Sequence, residues 1–476
     1  MSTDPLPTRA RTDQHRAFRR ISSVLVVSLA VVAGGLGLAN AGQSPRLSST
    51  EINTQALTTR AGQRVVLNIN QPLSDSSPVL VSVSPDALTE VAVDENSVTI
   101  RFPEMLDYNT QYTITIEAES AATGIAGRIV YTFVTADVDV YSLLRDTRED
   151  KAGQDMPDKI LKNKLSGNTE QEVAFEAPRI QGYVVLRDRL GVITLDSSDQ
   201  PSLIIASPSD GIETPVDTTG ARAIDKLQAA DTGDLIGYIF EDVSGDANGL
   251  RSVLFLYDLT SDSGVPTPVT GFDGKPLPVM DWMFVPGTTS VVVQGADQQL
   301  FLIDPLAGGD LTPLGWHDEM RGFIPGTVKL VVADPLSGSI IDLAAGTTTI
   351  LKLPEPQIDP GFYPGSLALL ADDRYVLLSV TYATEESGSS RLVRTDPDGS
   401  SEVFRTNSVG SRIRNFCVSP NGEFLAVEVI SGEGVPDNYP NELGYSATSI
   451  YFVRLDDATS NRGVNGFLPN WCRSSN

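Results

Sequence analysis

The chain has two histidines and two cysteines in 476 residues. His15 precedes the apolar run Ile21 to Leu38, so His317 alone would have to serve any histidine-based site beyond it. A Ser-His-Asp triad would need that residue together with a strained nucleophile turn, and no G-x-S-x-G occurs. His317 lies in Gly315-Trp-His-Asp-Glu319 and reads as a loop histidine. Zinc requires clustered His and Cys, which this inventory does not hold once the cysteines pair. Phosphate-cradling G-x-x-x-x-G-K-[ST] and dinucleotide fingerprints are also missing, which argues against nucleotide chemistry. Positive charge is scarce as well. Five arginines and two aspartates stand in the first 41 residues, so 30 of the 35 basic and 59 of the 61 acidic residues fall beyond them, a net −29. Such a surface repels phosphate backbones, and no nucleic acid partner is expected.

What the N-terminus does have is an export signal. Arg9, Arg11, Arg16, Arg19 and Arg20 precede a run without charge from Ile21 to Ala41, the positive-inside arrangement. Ile21 to Leu38 is 18 residues, at the lower edge of the roughly 17 to 25 that span a bilayer core. Ala39-Asn40-Ala41 is a small-x-small pattern that a signal peptidase accepts. Two outcomes follow: a single-pass membrane protein with its C-terminal part extracytoplasmic, or secretion after cleavage following Ala41. No Cys follows the run, so a lipoprotein anchor is excluded.

Beyond the run, 40 Gly and 30 Pro are scattered among short β-branched and aromatic stretches, with no helical periodicity of any length. The composition is all-β. Residues 1–41 are expected to be tail and membrane segment, 42–59 a linker, 60–136 a β-sandwich, 137–156 a second linker that continues the charged run Arg145 to Asp158, and 157–476 a repeat domain.

Within 60–136, alternating runs at Val65 to Ile69, Val79 to Val83, Val91 to Val93, Val98 to Phe102, Tyr112 to Ile116 and Ile129 to Thr135 are separated by turn clusters. Ser82-Val-Ser-Pro85, Val98-Thr-Ile-Arg-Phe102, Leu106-Asp-Tyr-Asn-Thr-Gln-Tyr-Thr-Ile-Thr-Ile116 and Tyr131-Thr-Phe-Val-Thr135 resemble the bacterial Ig-like domain of SbsA-type surface-layer proteins. That resemblance covers about 80 residues and implies a spacer or adhesive module without a catalytic site.

From residue 157 a unit recurs in which an aromatic precedes a Pro/Gly turn and an apolar strand. Trp282, Phe323, Phe362, Phe416 and Trp471 mark it, 41, 39, 54 and 55 residues apart. A period of about 40 to 50 with short strands points to a β-propeller. The stretch Phe416 to Val427 resembles a TolB-like or WD-repeat blade. Units begin near Ile180, Ala223, Met280, Met320, Phe362 and Ile413. Lys159 to Leu165 and Gln171 to Ala177 lack an inner strand, which the C-terminal stretch Leu468 to Cys472 is expected to supply. Seven blades result, with six as the alternative. Cys417 and Cys472 each follow a repeat aromatic, so a bridge between them would lock the ring, in a compartment that permits disulfides.

Asp242, Ser244, Asp246 and Asn248 put oxygen donors at alternate positions of one loop and form a calcium candidate, although Ala247 and Val253 stand where an EF-hand has Gly and Glu. Otherwise no cofactor is expected. The combined expectation is a non-catalytic envelope protein displaying a propeller to an unknown protein or ligand. The alternative is a propeller enzyme that acts on glycans through paired carboxylates.

Overall fold

The structure, a computed structural model, describes residues 25, 27, 28, 44–145, 156–167, 171–231, 233–242, 250–261, 264–306, 308–381, 389–460 and 463–472. The expected membrane segment Ile21 to Leu38 lies outside them except for Leu25, Val27 and Ser28, which are helical. Among the described residues no helix is long and apolar enough to cross a membrane. The chain is nearly all β and divides into two units, residues 58–60 and 107–109 belonging with the second.

The first unit has two antiparallel sheets. One orders Leu47–Glu51, Gln63–Ile69, Ser97–Phe102 and Glu90–Asp94; the other orders Leu80–Ser84, Gln111–Glu119 and Ala126–Val134. Strict alternation drives their packing: Val65, Leu67 and Ile69 from the first and Tyr112, Ile114 and Ile116 from the second enter one core, while the residues between them face outward. Leu47–Glu51 corrects the expected linker at 42–59. Its residues pair with Gln63–Ile69, and Ala56–Thr59 is a short helix. Too few apolar residues mark that strand for periodicity to show it.

In the second unit, six four-stranded antiparallel sheets follow one another, and each takes its strands in chain order. Their first strands are Ile180–Val185, Ala221–Ala229, Val279–Phe284, Glu319–Phe323, Phe362–Ala371 and Arg412–Val418, each starting within two residues of an expected unit. Second strands such as Val291–Gly295 and Phe424–Ile430 are buried on both faces, because a neighbouring sheet covers each side.

A composite sheet completes the unit. Asp139–Leu144, Asp158–Lys164 and Glu172–Ala177 are its strands, and Phe467 bridges to Leu143 on the open edge, each donating its backbone N–H to the other's carbonyl. Two expectations change here. Asp139–Leu144 is a strand inside the stretch expected as a linker, and its charged neighbours Arg145 and Asp158 are buried. The C-terminal stretch is shorter as a ladder than Leu468 to Cys472: Leu468 has φ of +50°, and beyond it Asn470 substitutes its side-chain oxygen as acceptor for the Tyr141 N–H.

Among the described residues, seven cores separate these sheets. Each contains residues of two neighbours, and the cycle closes with Leu143 and Ile160 of the composite sheet against Ile180 and Val192 of the first. The repeat aromatic Trp282 shows the packing logic. It is fully buried, and a Cβ placed on Gly237 of the preceding sheet would come within 2.5 Å of its ring, so only glycine lets the indole seat there.

Candidate functional site

In a four-stranded up-and-down sheet, the connection between the second and third strands leaves from the same end as the connection to the next sheet. At this end the sixth sheet carries its longest insertion, residues 431–447, between Phe424–Ile430 and Thr448–Arg454. Gly434 at its start is closely packed: a Cβ there would meet the Ile430 side chain at 2.4 Å. Asp437 folds the insertion back by accepting the N–H groups of Tyr439 and Gly444.

The insertion reaches four sheets. Tyr439 donates its hydroxyl to Asp158 of the composite sheet. Arg145, also of the composite sheet, lays its guanidinium 3.6 Å over the Tyr439 ring and donates to Asp437 at 2.7 Å and to the Glu442 carbonyl at 2.7 Å. Its other donors serve the carbonyls of Ile180 and Gln181 on the innermost strand of the first sheet. Glu442 returns to the sixth sheet through Arg414 at 2.6 Å, and Arg414 also pairs at 2.5 Å with the fully buried Glu428. Asn441 lies near Asp225 on the innermost strand of the second sheet and opposes the rise of its carboxyl pKa. The insertion is thus a strap fastened between the last sheet of the chain and the first ones.

Burial sets the electrostatics. It raises the carboxyl pKa of Asp158, Asp225 and Glu428, opposed in each case by the hydrogen bonds they accept. Each buried acid is held by an arginine, a tyrosine, an amide or a backbone N–H: Glu428, for example, also accepts the Leu468 N–H at 3.0 Å. Chemically this arrangement holds elements together. Removing one partner would leave an uncompensated buried charge, a loss of about 3 to 5 kcal/mol in comparable pairs.

The residues singled out from sequence fall elsewhere. Cys417 and Cys472 are bridged, with Cα atoms 5.4 Å apart, joining the innermost strand of the sixth sheet to the segment that closes the composite one. His317 is tied down: its Nδ1 lies 3.1 Å from Asp334, and its carbonyl accepts the Gln294 side chain at 2.6 Å. Of the calcium candidates, Ser244, Asp246 and Asn248 lie outside the described residues. Asp242 ends a strand and donates its N–H to the Leu250 carbonyl. Among the described residues, no group of three His, Cys, Asp or Glu is placed to hold a metal ion. Sequence reasoning missed Arg145, Asp158, Arg414, Glu428, Asp437, Tyr439 and Glu442. The only signal was the density of charge at 145–158 beside an unusually long gap between two strands.

No protein-family model and no curated protein matches the chain. Among solved structures it is similar to the β-propeller domain of the trilobed protease of Pyrococcus furiosus, at 8% identity and a TM-score of 0.42 over 75% of this chain and 92% of that one. It is also similar to the acylaminoacyl peptidase of Pyrococcus horikoshii, at 8% and 0.40 over 75% and 51%. A third is an oligogalacturonate lyase in complex with manganese, at 11% and 0.31 over 75% and 86%. The second unit, with its successive four-stranded sheets, is a β-propeller.

Proposed function

We propose that the chain is a non-catalytic envelope protein in which a seven-bladed propeller binds a partner through the end that carries the strap, while the first unit, read as an Ig-like sandwich, acts as a spacer. The observation that carries this reading is where the exposed apolar side chains lie. Phe272, Trp316, Leu336, Ile350, Val409 and Val435 all sit in connections or strand ends on the strap side, and Leu336 is 99% exposed. Ile212, Val265 and Leu306 are the counterparts in connections at the opposite end. Six exposed apolar residues at this end against three at the other favour it as the interaction surface. The acids near the strap are occupied in holding it, which favours a binding scaffold over carboxylate chemistry.

The location belongs to the same reading. Ile21 to Leu38 tethers the chain to a membrane, or cleavage after Ala41 releases it, and the disulfide suits an oxidising compartment. N-terminal sequencing of the mature protein separates the two fates. Binding is tested by cross-linking in intact cells with the wild type and a Trp316→Ser, Leu336→Ser, Ile350→Ser variant of unchanged melting temperature. A discrete cross-linked species lost in the variant is expected, and identical patterns would refute this surface.

One observation favours the enzyme alternative: Asp225 stands on an innermost strand with its pKa raised by burial. Hydrolysis of a glycan panel that disappears in Asp225→Asn would establish that reading in place of the first.

A further inference from the structure

The fifth sheet holds a buried arginine whose best hydrogen-bonding edge faces no acceptor among the described residues. Arg391, the second residue of Ser390–Asp396, has a side chain only 5% exposed. Its Nη1 donates to Asp359 at 2.5 Å and stands 3.6 Å from Glu402. The ring of Phe362, a repeat aromatic, lies 3.9 Å under the guanidinium. Nε and Nη2, both buried, have no hydrogen-bond partner among the described residues. These two atoms form the parallel-donor edge that grips a carboxylate or phosphate in bidentate fashion.

A third donor stands beside them. Ser379 pairs directly with Arg391 across the ladder, so both side chains leave the sheet on the same face. Its hydroxyl is fully buried and likewise has no partner among the described residues. Because Ser379 lies on the strand between those of Phe362 and Arg391, it is next to the guanidinium's route to the ring.

The local charges do not resolve this. Glu402 is committed to Arg405, which grips it with Nε and Nη2. Asp359 is 69% exposed, so water screens much of what it offers Arg391. Three buried donors with one face of chemistry in common are costly to leave unmatched. A group with two or three acceptor oxygens and a negative charge satisfies all of them together.

We infer that Arg391 and Ser379 form a binding site for a small oxyanion, a carboxylate or sulfate, between the fourth and fifth sheets near the strap-bearing end. The flanking core supports the placement, since Tyr375 and Leu377 on the same strand and face as Ser379 pack against Ile324, Val331 and Ile340 of the fourth sheet. The inference is independent of the partner-binding surface.

Thermal unfolding of the purified full-length chain tests it, with sodium acetate and sodium sulfate titrated against sodium chloride at constant ionic strength. A saturable rise of a few degrees with either oxyanion, and none with chloride, is expected. Arg391→Lys keeps the charge but loses the fork, so the saturable rise should vanish. Ser379→Ala should weaken the apparent affinity about tenfold, as loss of one charge-assisted hydrogen bond does. If Arg391→Lys does not fold, the Ser379→Ala titration still decides. No oxyanion-specific rise in the wild type would overturn the inference, because water would then suffice for these donors. A rise of equal size and midpoint in wild type and variants would overturn it too, as a general salt effect.

Discussion

Arg145 and Tyr439 meet face on, guanidinium over ring at 3.6 Å, although one directly follows a strand near the start of the propeller and the other lies in the insertion of its last four-stranded sheet. Around this pair, Asp437 and Asp158 bind the two residues from either side. Ring closure in this protein therefore rests on a buried polar clasp as well as on the disulfide and the Phe467 bridge.

Removing the clasp's cation should cost more than removing its hydroxyl. Arg145→Met leaves Asp437 buried without a counter-charge and is expected to destabilise by about 3 to 5 kcal/mol, whereas Tyr439→Phe removes one hydrogen bond and costs about 1 to 2 kcal/mol. Urea unfolding monitored by tryptophan fluorescence measures both. Equal effects would mean that the ion pair contributes no more than the hydroxyl.

At the Trp282 seat the tolerance for volume is small. Gly237→Ala places a methyl 2.5 Å from the indole and should destabilise by about 1 to 3 kcal/mol through overpacking. Trp282→Ala should cost about 3 to 5 kcal/mol. In the double variant Gly237→Ala, Trp282→Ala, the alanine at 237 no longer meets a ring, so the two losses should sum to less than their separate values.

The disulfide closes a sequence separation of 55 residues. Cys417→Ser with Cys472→Ser should lower stability by roughly 2 to 4 kcal/mol, and a thiol assay on unreduced, denatured wild type should detect no free thiol. Two reactive thiols in that assay would remove the bridge from the account.

Glu423, which accepts the Tyr108 N–H at 2.7 Å and pairs with Arg454 at 2.8 Å, is nonetheless dominated by burial, which lifts its carboxyl from 4.5 to about 7. The folded state then prefers the protonated acid and binds the extra proton between about pH 4.5 and 7. Stability should fall as pH rises across that window, and the contribution should be gone above it. Glu423→Gln should flatten this slope, by on the order of 1 to 3 kcal/mol between pH 5 and 7.5. Urea midpoints at the two pH values check the direction, and a steeper fall in the variant would reverse the assignment.

Much of the fold is legible along the chain because it is local. Antiparallel neighbours joined by short turns need only alternation and Gly/Asp punctuation, so Tyr112 to Ile116 and Ser290-Val-Val-Val293 identify themselves. The starts near Met280, Met320 and Phe362 are readable from aromatic spacing, and equivalent positions after Phe416 and Trp471 point to the Cys417–Cys472 pair. Where pattern was thin, reading failed: Leu47–Glu51 carries little apolar signal, and Asp139–Leu144 runs into charges that look like solvent-exposed linker.

Strand identity and the repeat thus follow from periodicity and composition, since backbone pairing at short range depends on side-chain alternation and turn chemistry alone. The clasp does not. Arg145 and Asp437 are separated by 292 residues, and nothing in either neighbourhood names the other. Only closing the ring brings them within 2.7 Å, and only burial there turns ordinary surface charges into a linked set whose members cannot be removed singly.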